Sequence, residues 1–298
     1  MPAVITKQKI TPRTRTLKAK RPETREEKMI AALSPTLNVM VNAVRKVGQS
    51  IVHDFREVSN LQISEKGPGD FVSNADLYAE KKLLEILHEA RPDYGFLSEE
   101  CGEIAPADGC DFCFVLDPID GTNNFIHAIP FFAISLALMK GKSVIAGVVF
   151  NPVTNDLYYA EKGKGAFLMT PTGNVRLRVS GRRHLKYSLM GTNGYSSDRN
   201  AKAVSTVAGE FSSVRYMGSL ALTMAMVAAG QLDVEVETRF KKWDVAAGYL
   251  LVQEAGGKVT TFAGDKELDA LLDSSTFLVA NPKLHEIMIE KMDKSLMQ

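Results

Sequence analysis

Downstream of residue 33 the chain is written in helical and strand periods. Leu37, Val41, Val44, Val47, Ile51 and Phe55 recur three or four residues apart, and Ser34-Pro35 supplies an N-cap followed by proline at the first helical position. Lys66-Gly-Pro-Gly-Asp70 reads as a turn and Phe71-Val72 as a brief strand. A second helix, Asp76 to Ala90, is capped by Ser73 or Asn74 and stopped by Pro92. Tyr94–Leu97 and Phe112–Leu116 are apolar runs of strand length. From Phe131 the period becomes two: Phe131–Met139, Val144–Phe150, Asp156–Glu161, Gly165–Met169 and Val175–Val179 predict an antiparallel meander, with Gly163-x-Gly165 as a hairpin turn. After Lys186–Gly191, helices Arg199–Glu210, Ser219–Ala229, Asp244–Ala255 and Lys283–Met292 alternate with strands Ser213–Met217, Leu232–Val236, Lys258–Thr261 and Phe277–Val279. An α/β (α+β) fold follows. We divide it into a tail, 1–33, an antiparallel half, 34–182, and an alternating half, 183–298, the two halves sharing one body because no linker or repeat separates them.

Composition changes this picture only at the N-terminus. The 298 residues carry a net charge of +1 with 45% apolar residues, an ordinary globular balance that singles out neither nucleic acid nor membrane. Residues 1–29 nevertheless hold nine Lys/Arg against three Glu, a net of +6, leaving −5 for the rest. With little apolar periodicity, this tail is predicted to be disordered. A solvated basic arm, an organelle transit segment and a natural start at Met29 are its three readings; the tail lacks the apolar core of a secretory signal. No apolar run is long enough to span a bilayer. Three cysteines, an odd number, give no disulfide framework, and Cys110-x-x-Cys113 without a second pair reads as small buried hydrophobes. A reducing cytoplasm is the expected compartment.

The chemistry concentrates in Asp117-Pro-Ile-Asp120-Gly121-Thr122-Asn-Asn-Phe125. Asp117 ends a strand, Pro118 interrupts simple ladder pairing, and Asp120 lies three residues on, so two carboxylates can converge. Converging carboxylates repel unless they share a proton or a cation, and hard oxygen ligands favour Mg²⁺. Gly121 allows close backbone approach, and the helix start at Thr122 offers N–H groups to an anion. On its own this stretch fits a helix-capping turn equally well. Asp244, in the first turn of the Trp243-Asp244-x-Ala-Ala-Gly helix, is alone no more than a residue favoured by the helix dipole.

Taken together, the two stretches resemble the signatures of the inositol monophosphatase family. Asp117-Pro-Ile-Asp120-Gly-Thr122 with Asn124-Phe125-x-His-x-x-Pro130, Trp243-Asp244-x-Ala-Ala-Gly, Glu254-Ala-Gly-Gly, Ser98-Glu99-Glu100 and Ser73-Asn-Ala-Asp76 occur in the family's order, from about Ser34 onward. The family usually has Gly where Ser98 stands and often Ser where Cys101 stands. The resemblance implies a layered α-β-α-β-α sandwich, usually a homodimer, that hydrolyses phosphomonoesters with two to three Mg²⁺ ions. By resemblance, Glu99, Asp117 and the carbonyl of Ile119 hold one ion, and Asp117, Asp120 and Asp244 a second. Thr122, hydrogen-bonded to Asp76, orients the attacking water that Glu99 helps activate, and the N–H groups of Gly121 and Thr122 take phosphate oxygens.

Substrate choice is less sharply drawn. Gly218-Ser219-Leu220 matches the family's alcohol-binding segment but also ordinary helix initiation. Glu237, by its distance before Asp244, matches a carboxylate that accepts substrate hydroxyls, although Asp233-Val-Glu235-Val-Glu237 alternates as an exposed strand would. Lys66 sits near the family's lysine loop. The five histidines show no zinc-like spacing, and His127 reads as structural. Inositol monophosphate is the expected substrate; histidinol phosphate, fructose 1,6-bisphosphate and a nucleotide 3′-phosphate are alternatives. Because some bacterial relatives associate with the transcription machinery, a regulatory role with RNA contact through the basic tail is the reading of a different class.

Overall fold

The computed structural model describes residues 24–297, apart from 59–62, 68–69, 171–172, 193–198 and 275. Tail residues 1–23, expected to be disordered, and the turn at 68–69 lie outside the described residues. The elements in chain order are α1 (Arg25–Ala31), α2 (Pro35–Arg56), β1 (Ile63–Gly67), β2 (Asp70–Ser73), α3 (Asn74–Ala90), β3 (Gly95–Ser98), β4 (Gly102–Ile104), β5 (Phe112–Asp120), α4 (Thr122–Ile126), β6 (Ala133–Lys140), β7 (Ser143–Asn151) and β8 (Asp156–Glu161). They continue with β9 (Gly165–Thr170), β10 (Gly173–Arg176), β11 (Leu189–Thr192), α5 (Arg199–Ala208), β12 (Ser213–Tyr216), α6 (Leu220–Ala228), β13 (Val234–Glu237), α7 (Lys242–Glu254), β14 (Lys258–Thr260), α8 (Leu268–Leu272), β15 (Phe277–Ala280) and α9 (Pro282–Met297).

Strands β10-β9-β8-β7-β6-β5-β3-β4 form one sheet, β12-β11-β13-β15-β14 a second, and β1-β2 a small hairpin. The meander is antiparallel throughout; β3 beside β5 is parallel, as is β11 beside β12 and β13. Both faces of the larger sheet are apolar. Ile134, Leu136 and Leu138 of β6 and Val148 and Phe150 of β7 face α2 and α3, while Ala133, Ala137 and Val149 face α6 and α7. Such strands read as continuous apolar runs, which is why the meander was legible by composition as much as by alternation. Val234 and Val236 of β13 pack with Leu284 and Met288 of α9 and Val204 of α5 on the far side of the smaller sheet. The layers are therefore α2/α3, sheet, α6/α7, sheet, α5/α9, the expected α-β-α-β-α sandwich.

The structure departs from expectation at α1, which occupies part of the stretch expected to be disordered. Thr24 accepts from the Glu27 N–H while the Glu27 carboxylate accepts from the Thr24 N–H, a capping box, and Ile30 is buried against α2. The second departure is β13. Asp233, Glu235 and Glu237 are all buried, because β13 lies between β11 and β15 with helices over both faces. Asp233 is satisfied there by Ser180 Oγ, by Arg182 Nη1 at 3.0 Å and by the Leu189 N–H at 2.8 Å. The short elements β4 and α8 carry too few periodic positions to have been predicted.

Candidate active site

A bulge in β5 builds the centre of the site. Asp117 pairs with Ser135 of β6, but Asp120 pairs with Ala133, so three steps on β5 answer two on β6. Pro118 has no N–H for the ladder, and the extra residue falls at this point. In an unbroken strand, residues three apart point to opposite faces; the bulge returns Asp117 and Asp120 to one side. Ser98 of β3 pairs with Leu116, so the parallel neighbour delivers Glu99 beside Asp117. Asp244 enters from the opposite layer, in the first turn of α7, where its Oδ2 accepts from the Lys241 N–H at 2.7 Å. Ser135 Oγ donates to the Trp243 carbonyl at 2.9 Å and ties this helix start to β6.

Carboxylate oxygens of Asp117, Asp120 and Asp244 lie within 4.8 Å of one another. Burial raises the Asp117 carboxyl well above the ordinary range, and the charges of Glu99, Asp120, Asp244 and Asp76 raise it further. Asp244 is raised by burial and then by Asp120 and Glu99, against the opposing Lys241 N–H. Asp120 is raised to about 6 by burial; hydrogen bonds from Ser219 Oγ and the N–H groups of Ala221 and Leu220 hold it down. Carboxylates crowded into a buried space in this way repel one another unless a proton or a cation is shared among them. The donor set is entirely hard oxygen, so the residues present fit a divalent cation such as Mg²⁺.

Thr122, at the start of α4, lies 3.3 Å from Asp76 Oδ1 and 3.1 Å from the Ile119 carbonyl through its Oγ1. Asp76 is buried in the first turn of α3. Gly121 caps α4 with φ +100°, and a Cβ there would sit 3.0 Å from the Gly218 carbonyl. The close approach joins the two halves of the site, and Asn124 reinforces it by donating to the carbonyls of Phe131 at 2.7 Å and Met217 at 2.8 Å. Among the expected substrate contacts, Ser219 and Leu220 turn toward Asp120 as donors, and Glu237 is buried at the end of β13. The side chain of Lys66 lies outside the described residues. His127 is exposed and bonded through Nδ1 to the Asn123 carbonyl at 2.8 Å, a local role. Cys113 is half-buried and its thiol is pushed up to about 11, as suits an inert core cysteine.

Sequence reading missed the residues that support this set: Ser135, Asn124, Ser219 as a partner of Asp120, and Glu80. Ser135 and Glu80 are polar residues at positions that the period assigns to a buried face, and that mismatch was the available signal. Glu254, noted only as part of a motif, accepts from the N–H groups of Gly163 and Gly165, both at 2.7 Å, and pins the β8–β9 turn against α7.

A buried carboxylate cluster between the two sheets of a five-layer sandwich defines a metal-dependent enzyme of the phosphatase type. The model of the inositol monophosphatase family matches residues 32–297, and the chain belongs to that family. It is 42% identical over 259 residues to the inositol-1-monophosphatase of Caulobacter vibrioides, covering 85% of this chain and 99% of that one. It is 34% identical to the Nus factor SuhB of Pseudomonas aeruginosa over 273 residues, covering 89% and 98%. The crystal structure of the extragenic suppressor protein suhB from Bartonella henselae superposes with a TM-score of 0.81 at 41% identity, covering 88% of this chain and 99% of that one. Among the described residues, no helix is long and apolar enough to cross a membrane.

Proposed function

We propose that this chain is a Mg²⁺-dependent phosphomonoesterase whose main substrate is inositol monophosphate, working in the cytoplasm as a homodimer. The observation that carries the reading is the convergence of Asp117, Asp120 and Asp244 from two layers onto a point within 4.8 Å of separation. Glu99, Asp117 and the Ile119 carbonyl would hold one ion, and Asp117, Asp120 and Asp244 another. The chemistry supplied by bound Mg²⁺ is Lewis acidity toward the phosphoryl oxygens and toward water. Thr122, steadied by Asp76, orients the attacking water through its hydroxyl oxygen. The N–H groups of Gly121 and Thr122 receive phosphate oxygens, and Glu237 with the Gly218-Ser219-Leu220 segment faces the alcohol. Water oxygen bonds to phosphorus as the bond to the alcohol oxygen breaks, and the alcohol leaves with a proton.

The test is phosphate release from inositol 1-phosphate, histidinol phosphate, fructose 1,6-bisphosphate and adenosine 3′,5′-bisphosphate, each with Mg²⁺ and with EDTA. Metal-dependent turnover led by inositol 1-phosphate is expected; another leading substrate would redirect the specificity. Light scattering tests the dimer. A second reading, association with the transcription machinery, is favoured by the relative named as a Nus factor and by the basic N-terminus. Folded, Mg²⁺-binding protein with no turnover on any substrate would select it.

A further inference from the structure

Glu80 lies on α3, one turn after Asp76, and its side chain is fully buried. Among the described residues no cation pairs with it. Its partners all come from one turn: Ser98 Oγ donates to Oε1 at 3.1 Å, the Cys101 N–H to Oε1 at 2.6 Å and the Glu100 N–H to Oε2 at 2.9 Å. The neighbouring Glu80 carboxylate, with burial, pushes the Cys101 thiol up to about 11. A buried carboxylate without a countercharge is tolerated only where its lone pairs meet donors. Turn and carboxylate therefore hold one another: opening the turn would strand a polar group in the core, and removing the carboxylate would leave two N–H groups of the turn without their acceptor.

The residue enclosed by this clamp is Glu99. Its charge reaches both Asp117 and Asp244, raising each carboxyl. We propose that Glu80 is a positioning residue for Glu99, locking the turn 98–101 so that the Glu99 carboxylate is held toward the Asp117/Asp120/Asp244 cluster. Ser98 supplies a donor that glycine at the same place would lack, so the strength of the clamp can be graded. The inference rests on the reading of Glu99 as a metal ligand.

Three variants test it: Glu80→Gln, Ser98→Gly and Glu99→Gln. Each is measured by calorimetric titration with Mg²⁺ alone, by kcat and KM for inositol 1-phosphate, and by amide hydrogen exchange at Glu100 and Cys101. In Glu80→Gln, Mg²⁺ binding should weaken about 10-fold and kcat fall about 10-fold, the size usual for residues that orient a ligand. KM should stay within about 3-fold, because the substrate does not touch Glu80, and exchange at the two amides should accelerate. Ser98→Gly should shift the same quantities in the same direction by less. Wild-type Mg²⁺ affinity and exchange in folded Glu80→Gln would overturn the inference, and if that variant does not fold, the same result in Ser98→Gly would do so. Glu99→Gln separates the levels: weakened Mg²⁺ binding there with normal binding in Glu80→Gln sinks only the clamp, whereas unchanged binding in Glu99→Gln removes both the clamp and the ligand assignment.

Discussion

His285, on α9, is a buried imidazole whose Nε2 lies 2.9 Å from Thr260 Oγ1. That hydroxyl also lies 2.7 Å from the Thr261 carbonyl and donates to it, which leaves His285 Nε2 as the donor to Thr260 Oγ1. Burial and then Lys258 push its pKa from 6.5 down to about 4, with Glu286 opposing. The folded state thus resists a proton that the unfolded state accepts. The stability contribution is full above pH 6.5 and is lost as pH drops from there toward 4. Replacing His285 by Gln should flatten that part of a denaturation curve recorded against pH. Asp244 works in the opposite sense. Its folded pKa is raised, so in EDTA its ionisation at pH 8 opposes folding; Asp244→Asn should melt at or above the wild type under those conditions. Mg²⁺ should raise the wild-type melting temperature and raise that of the variant by less, because the ligands of the other ion remain, while turnover falls at least about 100-fold because a ligand is gone. Wild-type-like turnover in Asp244→Asn would sink the site assignment. Asp117 and Asp120 stand out in the sequence because converging carboxylates call for a shared proton or cation, whereas Asp244 joins them there only through the family resemblance. Glu80 and Ser135 were not legible there, since a buried polar residue reveals its partner only once the layers are stacked.

At the scale of elements, the site depends on how closely α7 approaches the larger sheet. Gly147 of β7 packs against the Ala247 backbone, and a Cβ there would come within 2.9 Å of the Ala247 carbonyl oxygen. Neither element can yield, because α7 is sandwiched between sheets and Ala246 and Ala247 are fully buried. Gly147→Ala should cost about 1–3 kcal/mol in thermal or urea unfolding. It should also lower kcat, because displacement of α7 moves Asp244 away from β5. A stability loss with unchanged kcat would show that the strain is absorbed elsewhere. The helix α2 and the meander were readable because caps, turns and periods agree over long stretches. The alternation in β13 pointed the wrong way for a physical reason: period two tells a strand's faces apart but cannot say that a helix covers the polar one. Proline in β5 was rightly seen to interrupt pairing, yet the strand continues past it, since a bulge absorbs the missing N–H and turns the interruption into the device that converges two carboxylates.

For the molecule as a whole, the open question is what the basic N-terminus adds to the enzyme, and the position of α1 decides how to ask it. Residues 1–23 carry seven Lys/Arg and one Glu, the whole of the +6 found in the first 29 residues, whereas α1 belongs to the folded body. Its cap is Thr24, Ile30 is buried, and Asn38 Nδ2 of α2 donates to the Ile30 carbonyl at 2.9 Å. A chain starting at Met29 would lose the cap and most of that helix, so a deletion drawn there confounds charge with stability. Removing residues 1–23 should leave the melting temperature and phosphate release unchanged. Removing 1–33 should cost about 1.5–3 kcal/mol through the lost burial of Ile30, with reduced melting temperature as the readout. The transcription reading makes the opposite demand on the shorter deletion. A tail that contacts RNA through its cations should bind single-stranded RNA with an affinity that falls steeply with salt, and the 1–23 deletion should abolish that binding while turnover persists. Equal RNA binding by the full chain and the 1–23 deletion would remove the tail from any regulatory role and leave the carboxylate cluster as the chain's functional centre.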